Sequence, residues 1–87
     1  MTEIVYTEKA IDQLEDLEAQ TADRILSKVD DAAEWPDHHL ASLRGFPYYK
    51  LRIGDYRAII SWDRNDEALR VEAVGQRSTI YDRHLPP

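Results

Sequence analysis

Cysteine is absent from the 87 residues, so disulfides, thiolate zinc sites and thiol redox chemistry are excluded at the outset. Glycine and proline are scarce, three and four residues, while 43% of the chain is hydrophobic and 32% charged. That is the composition of a folded protein and not of a linker or a disordered tail. No apolar run approaches the roughly 18 residues a membrane-spanning helix needs. The chain opens on Thr2-Glu3 instead of a basic stretch, so neither a membrane span nor a signal peptide is expected, and the cytoplasm is the default compartment. Lysine is also rare: three residues beside eight arginines, against 17 acids, for a net charge of −6. A uniformly acidic surface would repel nucleic acid, because phosphate neutralisation supplies most non-specific affinity.

The charge is not uniform. Residues 1–42 hold 11 acids and three bases, for −8, whereas residues 43–87 hold six acids and eight bases, for +2. Four of the cations fall between Arg44 and Arg57, a span in which Asp55 is the only acid. This stretch organises the chain. It runs Tyr49-Lys50-Leu51-Arg52-Ile53, a Gly54-Asp55 turn, then Tyr56-Arg57-Ala58-Ile59-Ile60, and reads as a β-hairpin. In extended backbone the period of two sets Lys50 and Arg52 side by side on one face and Tyr49, Leu51 and Ile53 on the other.

A length of 87 residues suits a single domain, burying about 60% of the surface its unfolded chain would expose. Before the hairpin, Glu3-Ile4-Val5-Tyr6 is a short β-prone run and Thr7 is placed to cap a helix in which Ala10, Ile11, Leu14 and Leu17 line one face. A break near Ala19-Gln20 and a second cap at Thr21 lead into Ala22, Ile25, Leu26, Val29, Ala32 and Ala33 at helical spacing. Pro36 should end that helix by Trp35. Asp37 to Leu40 is then a loop or helical tail. After the hairpin, Asp63 to Glu67 is a polar turn and Leu69 to Val74 alternates as a strand, with Gly75 marking a bulge or strand end. Residues 76–85 leave room for a short C-terminal helix. The expected fold is α+β: β-α-α-β-β-β with a short C-terminal helix, its antiparallel sheet packed on a helical hairpin.

A meander of strands 50–53, 56–62 and 69–76 gathers Lys50, Arg52, Arg57 and Arg77 from neighbouring strands. Cations so gathered suit a phosphate, whose transition state carries extra negative charge that fixed guanidinium groups stabilise. Tyr81 is four residues beyond Arg77 and His84 three beyond Tyr81, so all three share one face if the segment is helical. The Tyr81 ring can stack on an unpaired base. Spacing alone also allows ordinary solvent-facing strand residues and a packing tyrosine. The His38-His39 pair lacks a third ligand nearby, and adjacent side chains point apart, so it reads as a loop feature.

These residues carry a resemblance. Leu43-Arg44-Gly45, then Tyr49 to Ile60, then Val74-Gly75-Gln76-Arg77-Ser78-Thr79-Ile80-Tyr81, in this order and spacing, resemble the RelE/ParE toxin superfamily, closer to its RelE branch, over essentially the whole chain. The resemblance implies a toxin of a type II toxin–antitoxin system, held by a RelB-like antitoxin and reaching operator DNA only through it. It further implies an endoribonuclease that enters the ribosomal A site and cuts mRNA with no metal or other cofactor. There the ribose 2′-hydroxyl attacks the adjacent phosphate, leaving a cyclic phosphate and a 5′-hydroxyl. By position, Lys50 and Arg52 match the basic pair near the 2′-hydroxyl, Arg57 the residue that stabilises the phosphorane, Arg77 the general acid and Tyr81 the stacking tyrosine. Arg44 matches a backbone-binding residue, and His84 an alternative acid. Arg52 stands where a lysine is common, and a guanidinium holds its proton, which moves a base role to Lys50. Two further readings are a ParE-like gyrase inhibitor and an inactive corepressor that only binds its antitoxin.

Overall fold

Thr7 both ends the first strand and starts the first helix. In the computed structural model, which describes residues 2–81, its Oγ1 accepts from the backbone N–H of Ala10 at 3.1 Å and donates to the carbonyl of Glu72 at 2.9 Å. One hydroxyl thus caps a helix and fastens it to the sheet. Strand β1 is Glu3–Tyr6 and helix α1 is Glu8–Glu15. The second helix, α2, is Ala19–Glu34, and it begins two residues before the cap expected at Thr21. Glu18 is its N-cap, with no side-chain hydrogen bond; its carbonyl accepts from Ala22 N at 2.9 Å, and Thr21 sits inside the first turn. Ala19 and Gln20 are good helix formers, so the backbone turn alone suffices to start the helix there.

Trp35 leaves α2 with φ −146° and ψ 72°, outside the α region that a following proline disfavours. Pro36 then opens a single-turn helix α3, Pro36–His39, where its missing N–H costs nothing. A two-residue strand β2, Ala41–Ser42, follows; it is too short to leave a periodic signal. The expected meander is there as β3 (Tyr49–Ile53), β4 (Tyr56–Asp63) and β5 (Ala68–Gln76). Strand order is β1-β5-β4-β3-β2, antiparallel throughout except that β1 joins β5 in parallel. Among the described residues no helix is long and apolar enough to cross a membrane.

A bulge sets which side chains face the helices. Ile59 pairs with Ala73 and Ile60 with Val71, which leaves Glu72 as the extra residue of β5. It falls three residues before Gly75, which stays in register opposite Arg57. Because the bulge reverses parity, Val71 and Val74 both turn toward the helices, and both are buried. The backbone groups it frees are taken up by α1: Gln13 Oε1 accepts from Val74 N at 2.8 Å, and Thr7 holds the Glu72 carbonyl.

The main core lies between this face and the helices, with Ala10, Leu14, Ile25, Val29 and Ala32 packed on Leu51, Ala58, Ile60, Leu69 and Val71. The apolar stripes are narrower than their spacing suggests, since Ile11 stays 45% exposed and Leu26 36%. Ile25 is fully buried. Its replacement by alanine leaves a cavity and should lower stability by about 2–5 kcal/mol in urea unfolding. Tyr6 gives a second test. Burial, and then the Asp30 carboxylate, push its phenol up to about 12 from the ordinary 10.0. The folded state therefore holds this proton while the unfolded chain releases it, so stability falls as pH rises from about 10 to about 12. Tyr6→Phe should remove that part of the alkaline decline, measured as midpoint shifts in urea between pH 9 and 12.

Candidate functional site

The hairpin residues that point away from the helices form the candidate site. Arg52 lies directly opposite Arg57, and Lys50 opposite Ile59, across the β3–β4 pair; on the other side Arg57 faces Gly75 and Ile59 faces Ala73. Lys50, Arg52 and Arg57 therefore share one face of three adjoining strands, as the alternation predicts. The turn between them depends on Gly54, whose φ of +57° lies in the left-handed region that side chains with a Cβ avoid.

Arg57 is held differently from its neighbours. Lys50 and Arg52 are exposed, while Arg57 is only 9% exposed. Its Nη1 donates to the carbonyls of Gly54 at 2.7 Å and Tyr56 at 2.8 Å, which fixes the guanidinium plane against the turn. Among the described residues no carboxylate pairs with it. No buried side-chain nitrogen or oxygen among them lacks a partner. A mostly buried cation with no carboxylate partner among the described residues has the charge to attract an anion.

The chain after β5 closes one side of this face. A Cβ at Gly75 would stand 3.0 Å from Ile80 Cδ1, tighter than ordinary contact, so the glycine gives Ile80 room to pack against the strand beside Arg57. Ile59, Ala73 and Ile80 form a second buried cluster, covered by Leu43, Phe46, Tyr48 and Tyr81. This apolar patch on the cationic face is the main feature the sequence reading lacks. The signal was present: Tyr48 has the parity of Lys50, and Ile59 that of Arg57. Tyr81 joins the patch and is half-buried, packing along one part of its ring.

The other candidates fall around the rim. Arg77 is exposed, and its backbone N–H bonds the Asp55 carbonyl at 2.8 Å, which ties the end of β5 to the hairpin turn. Its side chain lines an open cavity of about 420 Å3 with Asp55, Gln76 and Ser78. It precedes the helical residues Ile80 and Tyr81 and belongs to a turn, so the helical face expected to hold Arg77 and Tyr81 together does not form. Thr79 N bonds the Gln76 carbonyl instead, at 3.1 Å. Arg44 is exposed in the loop between β2 and β3, beside Gly45 at φ +86°. His84 and the rest of the expected C-terminal helix lie outside the described residues. His38 stacks on Trp35 at 4.3 Å and meets His39 edge-on at 5.0 Å, and the described residues contain no group of His, Asp and Glu able to hold a metal. A larger cavity, about 830 Å3, lies on the helix side with Asp30, Glu34 and Glu67 in its wall. Its carboxylates make it a poor phosphate site.

Comparison with known proteins agrees with this fold. The fold is similar to the RelBE2 toxin–antitoxin complex of Mycobacterium tuberculosis, with a TM-score of 0.81 at 19% identity, over 87% of this chain and 98% of that one. It is also similar to the isolated RelE toxin of E. coli, with a TM-score of 0.74 at 22% identity, over 95% and 94% of the two chains. The archaeal RelE–RelB complex of Pyrococcus horikoshii gives 0.75 at 21% identity, over 90% and 97%. No curated protein matches the chain at a significant level. Residues 4–81 match the family model of the ParE toxin of the type II toxin–antitoxin system parDE. The chain thus belongs to the ParE toxin family and is a type II toxin of the RelE/ParE superfamily.

Proposed function

We propose that this toxin is a ribosome-dependent mRNA endoribonuclease of the RelE kind. The single observation that carries the reading is Arg57: mostly buried, clamped by two backbone carbonyls, without a carboxylate partner among the described residues, and flanked on its own face by Arg52 and Lys50. A guanidinium fixed in that way is organised for a dianionic phosphorane before substrate arrives. Lys50 takes the 2′-hydroxyl proton, assisted by Arg52, and the oxygen attacks the adjacent phosphorus. Arg57 stabilises the phosphorane, and Arg77 protonates the departing 5′-oxygen, leaving a cyclic phosphate. Tyr81 stacks on the base at the scissile linkage, and Arg44 holds strand backbone at the rim. His84 is the alternative proton donor. The acidic outer sides of the helices face away from the RNA, so most of their charge lies far from the docking face. The antitoxin is a RelB-like protein, in keeping with neighbours whose structures are RelB–RelE complexes.

A second reading, inhibition of DNA gyrase, is favoured by the family model, which is that of the ParE toxin. The cationic cluster favours the nuclease. The two separate in one experiment. Purified toxin on translating ribosomes should cut mRNA within codons in the A site, and Arg57→Ala should slow single-turnover cleavage by about 100- to 1,000-fold with the fold intact by circular dichroism. Intact mRNA, together with loss of gyrase supercoiling activity, would establish the second reading instead.

A further inference from the structure

Helix α2 carries a single arginine, and it comes to the hairpin turn. Arg24 Nη2 stands 3.0 Å from the point that a Cβ on Gly54 would occupy, so its guanidinium rests on the turn in space that glycine leaves open. On the carbonyl side of the same residue, Arg57 Nη1 donates to Gly54 O at 2.7 Å. One residue on, Asp55 O accepts from Arg77 N at 2.8 Å. Two guanidinium groups and the Arg77 backbone thus meet at a two-residue turn where Asp55 supplies the one carboxylate. Two cavities meet there: one of about 220 Å3 bordered by Arg24, Thr21 and Tyr56, the other of about 420 Å3 bordered by Arg77 and Ser78, with Asp55 and Gln76 common to both.

We infer that Arg24 is a phosphate contact for the RNA strand, next to the linkage held at Arg57. This rests on the nuclease reading for the identity of the strand. Residues 1–42 contain only Lys9 and Lys28 as further cations beside 11 acids. Arg24 nevertheless makes no ion pair among the described residues; it lies over the turn. The guanidinium, with Gln76 and Thr21 on the same cavity wall, offers donors to a phosphate oxygen, and the one carboxylate on that wall, Asp55, is outnumbered once Arg57 and Arg77 beside the turn are counted. A base would need no such charge. The acidic helical hairpin thus contributes one positive group to the interface, where α2 meets the hairpin turn.

The test uses a fluorescent single-stranded oligoribonucleotide made uncleavable by 2′-O-methylation, titrated with wild-type toxin, Arg24→Ala and Arg24→Lys between 0.05 and 0.5 M salt (on the order of the range in which counterion release is read). Arg24→Ala should weaken binding about fivefold at 0.1 M salt and lower the slope of log K against log salt by about 0.7, the value of one contact to a single strand. Arg24→Lys should keep the slope. On ribosomes, Arg24→Ala should raise KM and leave kcat unchanged. An unchanged slope in Arg24→Ala overturns the inference, as does a loss in Tm that accounts for all the weakening, which would make Arg24 a prop for the turn. Absence of oligoribonucleotide binding by the wild type also overturns it. Wild-type toxin that binds the oligoribonucleotide with the Arg24 dependence but cuts nothing on ribosomes would refute the nuclease reading and leave the contact standing.

Discussion

The two hydrogen bonds from Arg57 to the carbonyls of Gly54 and Tyr56 are the constraint on which the rest of this toxin's surface depends. They hold a charged group almost out of water, a placement that costs several kcal/mol when a counter-charge is lacking. Such a cost is tolerable only if the turn, the strands and the bulge are rigid enough to keep the guanidinium from swinging out. Each of those supports is visible. Gly54 takes a left-handed conformation, β4 is paired on both sides, and Gly75 leaves room for Ile80 to close the strand beside it.

The remainder of the fold separates two kinds of surface. One face of the sheet goes to α1 and α2, which carry seven of the 17 acids; the other keeps Lys50, Arg52 and Arg57 around a small apolar cluster. The bulge at Glu72 mediates between them, because the parity change lets β5 bury Val71 and Val74 on the helix side while Ala73 and Gly75 remain on the cationic side. Ser61 Oγ donates to Glu72 Oε2 at 2.6 Å, so the acid that the bulge projects is bonded at the far end of the face from Arg57. Net charge is therefore a poor guide to what this protein binds. Its distribution over the two faces is the better one.

Much of this was legible in the residues. The alternation of Tyr48, Lys50 and Arg52 against Tyr49, Leu51 and Ile53 fixes faces because a strand has a period of two, and Pro36 fixes the end of α2 because it restricts Trp35. The parts that were not legible have physical causes. Strand β2 has two residues, too few for a pattern. The start of α2 rests on backbone geometry at Glu18, which leaves no side-chain cap to read. The bulge depends on how β4 and β5 pair, a long-range matter, and Gly75, expected to mark a bulge or a strand end, stands one residue before the end of β5. Arg24 escaped notice because nothing local ties a helix arginine to a turn thirty residues away.

The central claim is that an RNA strand meets the protein on the face of Lys50, Arg52 and Arg57. It is tested most directly by nuclear magnetic resonance of 15N-labelled toxin titrated with an uncleavable oligoribonucleotide. Binding should give the largest shifts at the backbone of 50–57 and 75–81 and at the Arg57 Nε–H, with the outer sides of α1 and α2 around Asp12, Glu15 and Asp30 unmoved. Shifts concentrated on those helices, with the Arg57 Nε–H unmoved at saturation, would contradict it.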